Sequence, residues 1–218
     1  MVIIISLGLA VAAFFFAAVP WGLVMGKWLK GVDIRQGGSG ATGTTNSLRI
    51  LGWRIAIAIF LLDFGKGVLP VVLARWWDLP GWAVAVIAIA ATAGHCWSPY
   101  IRMKGGKGMA TGGGAAVAMF PWLVFCLVFV VIVVWLTKYV SLASILTALL
   151  GPTLVVILAL FGLVPGWWAV GVVGVGAIIV IQHRSNIKRL INGTENKFGQ
   201  RSSTQAPPTV PPAQNHHA

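Results

Sequence analysis

Residue groups suited to binding phosphate recur three times along an otherwise apolar chain. The densest is Lys104-Gly105-Gly106-Lys107-Gly108. Glycines let a backbone curl so that successive N–H groups face one anion, and each lysine adds a mobile positive charge on a long stem. The second group is Gly37-Gly38-Ser39-Gly40-Ala41-Thr42-Gly43-Thr44-Thr45-Asn46, with hydroxyl and amide donors on a pliant backbone. Arg49 follows it and can grip a phosphate bidentately. The third, His183-Arg184-Ser185-Asn186, offers an imidazole able to take a hydroxyl proton near pH 7 or to donate to phosphate. Ser141, near Lys138 in a short polar turn, is either a helix N-cap or a ligand contact. Each group also has a plainer reading: a solvated loop, a positive-inside anchor at the arginines, or close helix packing at Gly112-Gly113-Gly114.

Two better-known phosphate signatures fail on context. Gly38-x-Gly40-x-x-Gly43 matches a dinucleotide fingerprint, and Asp63 falls twenty residues after Gly43. That fingerprint needs a preceding strand in a soluble βαβ unit, whereas here an apolar helix precedes it and Asp63 lies inside the next one. The same loop resembles a Walker A segment, but Thr44 stands where the lysine belongs. His95, His183, His216 and His217 are scattered, and Asp33, Asp63, Asp78 and Glu195 form no cluster, so no metal and no other cofactor is expected. Cys96 and Cys126 show no paired spacing.

The elements that must position these groups are membrane helices. The chain is 58% hydrophobic and 9% charged, far more apolar than a soluble domain of 218 residues requires. With net charge +12 and four acidic residues, its polar parts attract anions such as phosphates and lipid headgroups. The basic residues sit in short loops with no nucleic-acid-binding signature, so no nucleic-acid partner is expected.

Apolar segments run over 2–25, 53–74, 82–100, 109–120, 122–137, 142–161 and 166–182. No positive region precedes the first, and further apolar segments follow it, so it reads as a retained helix rather than a signal peptide. The 28 residues from Met109 to Leu136 are either one overlong span or two short ones broken at Pro121. Charge parity favours two: only then do Lys138 and the basic cluster Arg184 to Arg201 join Lys27 to Arg54 and Arg102 to Lys107 on one side. The expectation is an all-α polytopic bundle of about seven helices, N-terminus outside and C-terminus cytoplasmic, with Arg75 the only basic residue outside. Residues 198–218 are polar and proline-rich and read as a disordered tail after a membrane domain of 1–197. No fixed-period repeat appears. Asp63 and Lys66 lie three apart on one helix face; they either neutralise each other inside the bundle or touch substrate.

The ordered set is more specific than any member. It comprises GSGxxGxTNxxR at 38–49 and DxxKG at 63–67, then Gly94, His95, Pro99, Lys104 to Gly108, Ala110 and Thr111. KYxSLxS at 138–144 and HRxNIxRLxxGxE at 183–195 complete it. It resembles the bacterial membrane-integral acyl-phosphate:glycerol-3-phosphate acyltransferases, the PlsY family, over about residues 1–197. The resemblance implies transfer of a fatty acyl group from acyl phosphate to the 1-hydroxyl of sn-glycerol 3-phosphate, giving lysophosphatidic acid and inorganic phosphate. It further implies an inner-membrane enzyme with a cytoplasmic site, with neither acyl-CoA nor acyl-carrier protein as direct donor and no metal. Catalytic roles would fall to Ser141, His183, Lys104 and Arg49. Substrate phosphate would be bound by Ser39, Gly40, Thr45, Asn46, Gly105, Gly106, Lys107, Gly108 and Asn186, with Asp63, Lys66 and Glu195 in support. One departure is Ala41, where the family usually carries Asn.

No His-x-x-x-x-Asp pair occurs, since His95 is followed five positions later by Tyr100 and His183 by Lys188. Direct attack on the acyl carbonyl is therefore expected, rather than an acyl-enzyme on Ser141 or Ser39, neither of which has a sequence-evident base. An organic-phosphate transporter is the main rival, since intramembrane charge and one-sided basic loops suit it too. A headgroup transferase using a metal-bound nucleotide would need more carboxylates than the chain has.

Overall fold

In lipid every backbone polar group must be satisfied internally, so each apolar run closes into a helix. The computed structural model describes residues 1–199, and those residues form ten α-helices joined by turns and 3₁₀ segments. They are α1 (Val2–Ala17), α2 (Trp21–Lys30), α3 (Thr44–Leu51), α4 (Trp53–Trp76), α5 (Gly81–Cys96), α6 (Met109–Met119), α7 (Cys126–Thr137), α8 (Val140–Leu160), α9 (Gly166–Gln182) and α10 (Arg184–Ile191). From Gln200 onward, the expected tail lies outside the described residues.

Four stretches have the length and apolarity to cross a bilayer: Val2–Lys30, Trp53–Trp76, Gly81–Ile101 and Val140–Leu160. α9 and α10 supply a fifth if the 57° bend between them interrupts a single span. The chain does break at Pro121, which opens a short 3₁₀ segment, Pro121–Phe125. With 11 residues α6 is about 16 Å long, roughly half the apolar thickness of a bilayer. The expected crossing at 109–120 is therefore too short to span unaided.

α4 packs on α6, α1 on α5, and α9 on both α5 and α8. The shared core is built largely of alanine and valine, including Ala13, Ala88, Ala91, Ala115, Val155 and Val175. Small residues let the helices close up. A side-chain carbon on Gly67 would overlap the Thr111 carbonyl, one on Gly94 that of Phe14, and one on Gly114 that of Phe64. Large apolar side chains such as Leu61, Val131, Trp135 and Leu160 are exposed, as a lipid-facing surface requires. Arg75 donates to the carbonyls of Ala118 and Met119, closing the C-terminal end of α6, and its guanidinium lies over the Trp168 ring.

Asp63 and Lys66 are both buried and pair at 2.8 Å, and Lys66 Nζ also donates to the Val19 carbonyl in the break between α1 and α2. Of the two sequence readings, mutual neutralisation is the one this geometry supports.

Candidate active site

A buried carboxamide shapes the first polar loop. Asn46, on α3, accepts from Ser39 N–H at 2.8 Å and donates to the Ile34 and Ala41 carbonyls at 2.8 and 2.9 Å. Gly38 has φ +61°, and a Cβ there would overlap Asn46 Oδ1, so only glycine fits. The Asn46 side chain is thus spent on holding the loop. The loop delivers Ser39 to the site and ends on Gly43, which gives α3 no side-chain cap. The N–H groups of Thr44 and Thr45 precede the first helical bond, which begins from Asn46 and Ser47 to the Gly43 carbonyl.

The Lys104–Gly108 loop departs from expectation. Gly105 N–H donates to the Cys96 carbonyl and Gly106 N–H to the His95 carbonyl, with Gly106 packed on the His95 ring. Those two amides turn into the protein instead of toward a common anion. The consequence is a division of labour between the lysines. Lys104 is exposed and outside the cavity described below, whereas Lys107 enters it. Gly108, at φ +82°, ends the loop and opens α6 without a side-chain cap, leaving that helix's first-turn N–H groups at the same cavity. Lys104→Ala should therefore change kcat/KM by less than about fivefold, the scale of an exposed charge; a loss as large as that of a Lys107 variant would refute this placement.

The third group is organised by Glu195. Its Oε1 accepts from Ser141 Oγ at 2.8 Å and Asn186 Nδ2 at 2.7 Å, and its Oε2 from Arg189 Nε at 2.7 Å. Asn186 Oδ1 in turn accepts from Lys107 Nζ at 2.7 Å, so one chain of bonds ties α8, α10 and the lysine loop together. Burial pushes the Glu195 carboxyl up, but its bonds from Asn186, Ser141 and Arg189 outweigh that and hold it below its ordinary value. Burial lowers Lys107 to about 8, against the opposing pull of Glu195. His183 is buried, and its Nδ1 lies 2.8 Å from the Ile179 carbonyl; a carbonyl can only accept, so Nδ1 carries the proton and Nε2 is the basic nitrogen.

These groups share one cavity of about 300 Å³. Ser39, Thr45, Asn46, Arg49, Lys107, Gly108, Ser141, His183, Asn186 and Glu195 line it, as does Asp63. Gly40, Lys104, Gly105, Gly106 and Lys66 do not. Beyond the polar end its walls are apolar, with Leu123 and Leu127 on one side and Val172, Val175 and Ile179 on another. Arg189 and Thr147 belong to it and were passed over in sequence. By sequence Arg189 is a member of the 183–195 motif whose plain reading is a positive-inside anchor, and Glu195 six residues on is the signal that pairs with it. Thr147 completes a Ser141, Ser144, Thr147 face at helical spacing, and its buried hydroxyl has no hydrogen-bond partner among the described residues.

Glu195→Gln keeps the shape but removes the charge that supports Lys107. We expect kcat/KM to fall about 10- to 100-fold, in line with the loss of one or two charge-assisted hydrogen bonds. The alkaline limb of its pH profile should also move to lower pH, because Lys107 loses a stabilising anion; an unmoved limb would contradict the coupling.

Fold and site together define a polytopic helical membrane protein with one amphiphilic cavity, cationic at one end and apolar along its body. The glycerol-3-phosphate acyltransferase family model matches residues 7–193. A glycerol-3-phosphate acyltransferase of Synechococcus sp. (strain CC9902) is 40% identical over 91% of this chain and 98% of its own length. One from Halalkalibacterium halodurans is 38% identical over 90% and 97%. A crystal structure of PlsY (YgiH), an integral membrane glycerol 3-phosphate acyltransferase in its glycerol 3-phosphate form, superposes with TM-score 0.80 at 34% identity, covering 89% of this chain and 96% of that one. A second structure of that protein is the lysophosphatidic acid form, also with TM-score 0.80. The chain belongs to the glycerol-3-phosphate acyltransferase family and is an acyltransferase of the integral membrane PlsY kind.

Proposed function

We propose that this protein transfers a fatty acyl group from acyl phosphate to the 1-hydroxyl of sn-glycerol 3-phosphate, releasing lysophosphatidic acid and inorganic phosphate. The observation that carries the reading is the convergence of Lys107, Arg49 and two helix N-termini without side-chain caps on the polar end of a cavity whose other walls are apolar. Such a cavity suits a ligand with a phosphate head and an acyl tail. The complexes of the PlsY neighbour with glycerol 3-phosphate and lysophosphatidic acid support the acceptor and the product. The donor rests on the motif set at 38–49, 104–111 and 183–195.

In the proposed reaction the acceptor's 1-hydroxyl oxygen attacks the acyl carbonyl carbon, forming the ester bond as the bond from that carbon to the phosphate oxygen breaks. The leaving phosphate takes the bonding electrons and the hydroxyl proton. Lys107 and Arg49 neutralise the phosphate charge, and first-turn N–H groups of α3 and α6 steady the developing oxyanion. Asn46 holds the Ser39 loop, and Glu195 holds Ser141 and Asn186. A carboxylate kept ionised by three hydrogen bonds is a weak base for Ser141, which supports direct transfer over an acyl-enzyme. We place the site on the cytoplasmic side of the bacterial inner membrane, with the N-terminus outside, the C-terminus cytoplasmic, and residues 1–197 as the catalytic unit.

Purified protein given glycerol 3-phosphate with acyl phosphate, acyl-CoA or acyl-carrier protein should yield lysophosphatidic acid and stoichiometric phosphate with acyl phosphate alone. No product with that donor sinks the reading. His183→Ala should raise KM yet lower kcat by less than about 100-fold, below the usual contribution of a general base. A larger loss of kcat would move the proton from the leaving phosphate to His183 Nε2.

A further inference from the structure

Glycine inside a helix is destabilising relative to alanine, so each one calls for a reason. For Gly67, Gly94, Gly114 and Gly176 the reason is a neighbouring backbone carbonyl, which any side chain would strike. Gly151, in the middle of α8, has no such neighbour. A Cβ there would meet only Leu123 Cδ2 at 3.6 Å and Cys126 Sγ at 4.0 Å, ordinary contact distances. No other helix therefore excludes a side chain here; the local constraint is Pro152, whose ring crowds a Cβ on the residue before it.

Gly151 instead lines the apolar end of the cavity. On α8 the cavity wall runs from Val140 and Ser141, at the Glu195 network, to Gly151 and Pro152. Ser141 to Gly151 is about 15 Å along the axis at 1.5 Å per residue. Past this level the bundle is filled: Val155 is fully buried one turn on, and Phe120 packs against Trp168. On α8 the cavity lining thus ends at Gly151 and Pro152, where the packed residues begin.

We propose that Gly151, opposite Leu123 and Cys126, sets the longest acyl chain this enzyme accepts, by leaving room for the tail's terminal carbons. The proposal rests on the acyl-transfer reading above but not on the identity of the donor. A side chain larger than alanine at 151 has to project into that space, and it obstructs only chains long enough to reach it. Medium chains, which end short of Gly151, keep their contacts.

The test measures kcat/KM of the full chain for a series of acyl phosphates from medium to long chain, comparing wild type with Gly151→Leu, Gly151→Ala and Cys126→Phe. Gly151→Leu should lower kcat/KM for the longest chains relative to medium ones by about tenfold or more, the scale on which a pocket discriminates by a methylene. Gly151→Ala, which adds only a methyl at contact distance from Leu123 and Cys126, should shift the profile less than Gly151→Leu. Cys126→Phe fills the same space from α7 and should truncate the profile in the same way, so it decides the matter if Gly151→Leu does not fold. A folded Gly151→Leu or Cys126→Phe enzyme with an unchanged chain-length profile overturns the proposal. Should wild type respond to acyl-CoA and not acyl phosphate, the donor assignment has failed, and the profile read with an acyl-CoA series still decides the role of Gly151.

Discussion

Lys107→Met is expected to reduce kcat/KM on the order of 100- to 1,000-fold, comparable to deleting one preorganised donor from a site where charge develops. Methionine keeps an unbranched stem of similar length and removes the charge together with the hydrogen bond to Asn186. What is lost is the cation that Asn186 holds at 2.7 Å inside the cavity, and Lys104 cannot take its place because it lies outside. Wild-type pH dependence tests the same residue. With burial lowering Lys107 to about 8, the free enzyme is charged there below that pH and loses the charge above it. Hence kcat/KM should fall with rising pH above about 8, because it reports groups of the free enzyme. A bound phosphate favours the charged form, so kcat at saturation should hold to higher pH. A flat kcat/KM through pH 9, or a Lys107→Met enzyme within tenfold of wild type, would remove Lys107 from the machinery.

Asp63→Asn should cost the bundle about 3–5 kcal/mol, the usual consequence of stranding one partner of a buried ion pair. Both side chains are almost fully buried, and Lys66 would lose its counter-ion, left with only neutral acceptors such as the Val19 carbonyl and the new carboxamide oxygen. The loss would also reach the junction of α1 and α2, which Lys66 ties to α4, and the α4–α6 contact, where Thr111 donates to the Asp63 carbonyl. Thermal unfolding in detergent should show a large drop for Asp63→Asn and for Lys66→Met alone. The double variant should recover most of it, because no uncompensated charge remains. Additive losses in the double variant would mean that the two residues act separately and that the pair is not a unit.

Much of this architecture was legible in the chain because the bilayer leaves few options. A run of apolar residues without backbone partners has to be helical, and a proline marks where it can break, as at Pro121, although Pro70 and Pro152 are carried inside α4 and α8. The inventory of chemistry was legible for the same kind of reason: four acids against sixteen lysines and arginines mark a protein that handles anions. Span length was harder to read. Segment 109–120 is apolar enough to cross but yields only the short α6, since Pro121 limits it on one side and Gly108 on the other.

Side-chain direction in the irregular segments is what the sequence by itself did not determine. Lys104 and Lys107 are equivalent as letters; they differ because the Cys96 and His95 carbonyls at the end of α5 capture the Gly105 and Gly106 amides and turn the loop. Glu195 reads as one acid in a basic terminus, and it becomes the centre of the site only because α8 and α10 bring Ser141, Asn186 and Arg189 to it. Adjacent Gly113 and Gly114 divide likewise, the second packed on the Phe64 carbonyl and the first facing open space in the cavity. Local periodicity and the demand for satisfied backbone groups act within a segment, so sequence carries them. Contacts between segments distant in the chain decide which donors turn inward, and those exist only once the helices have packed.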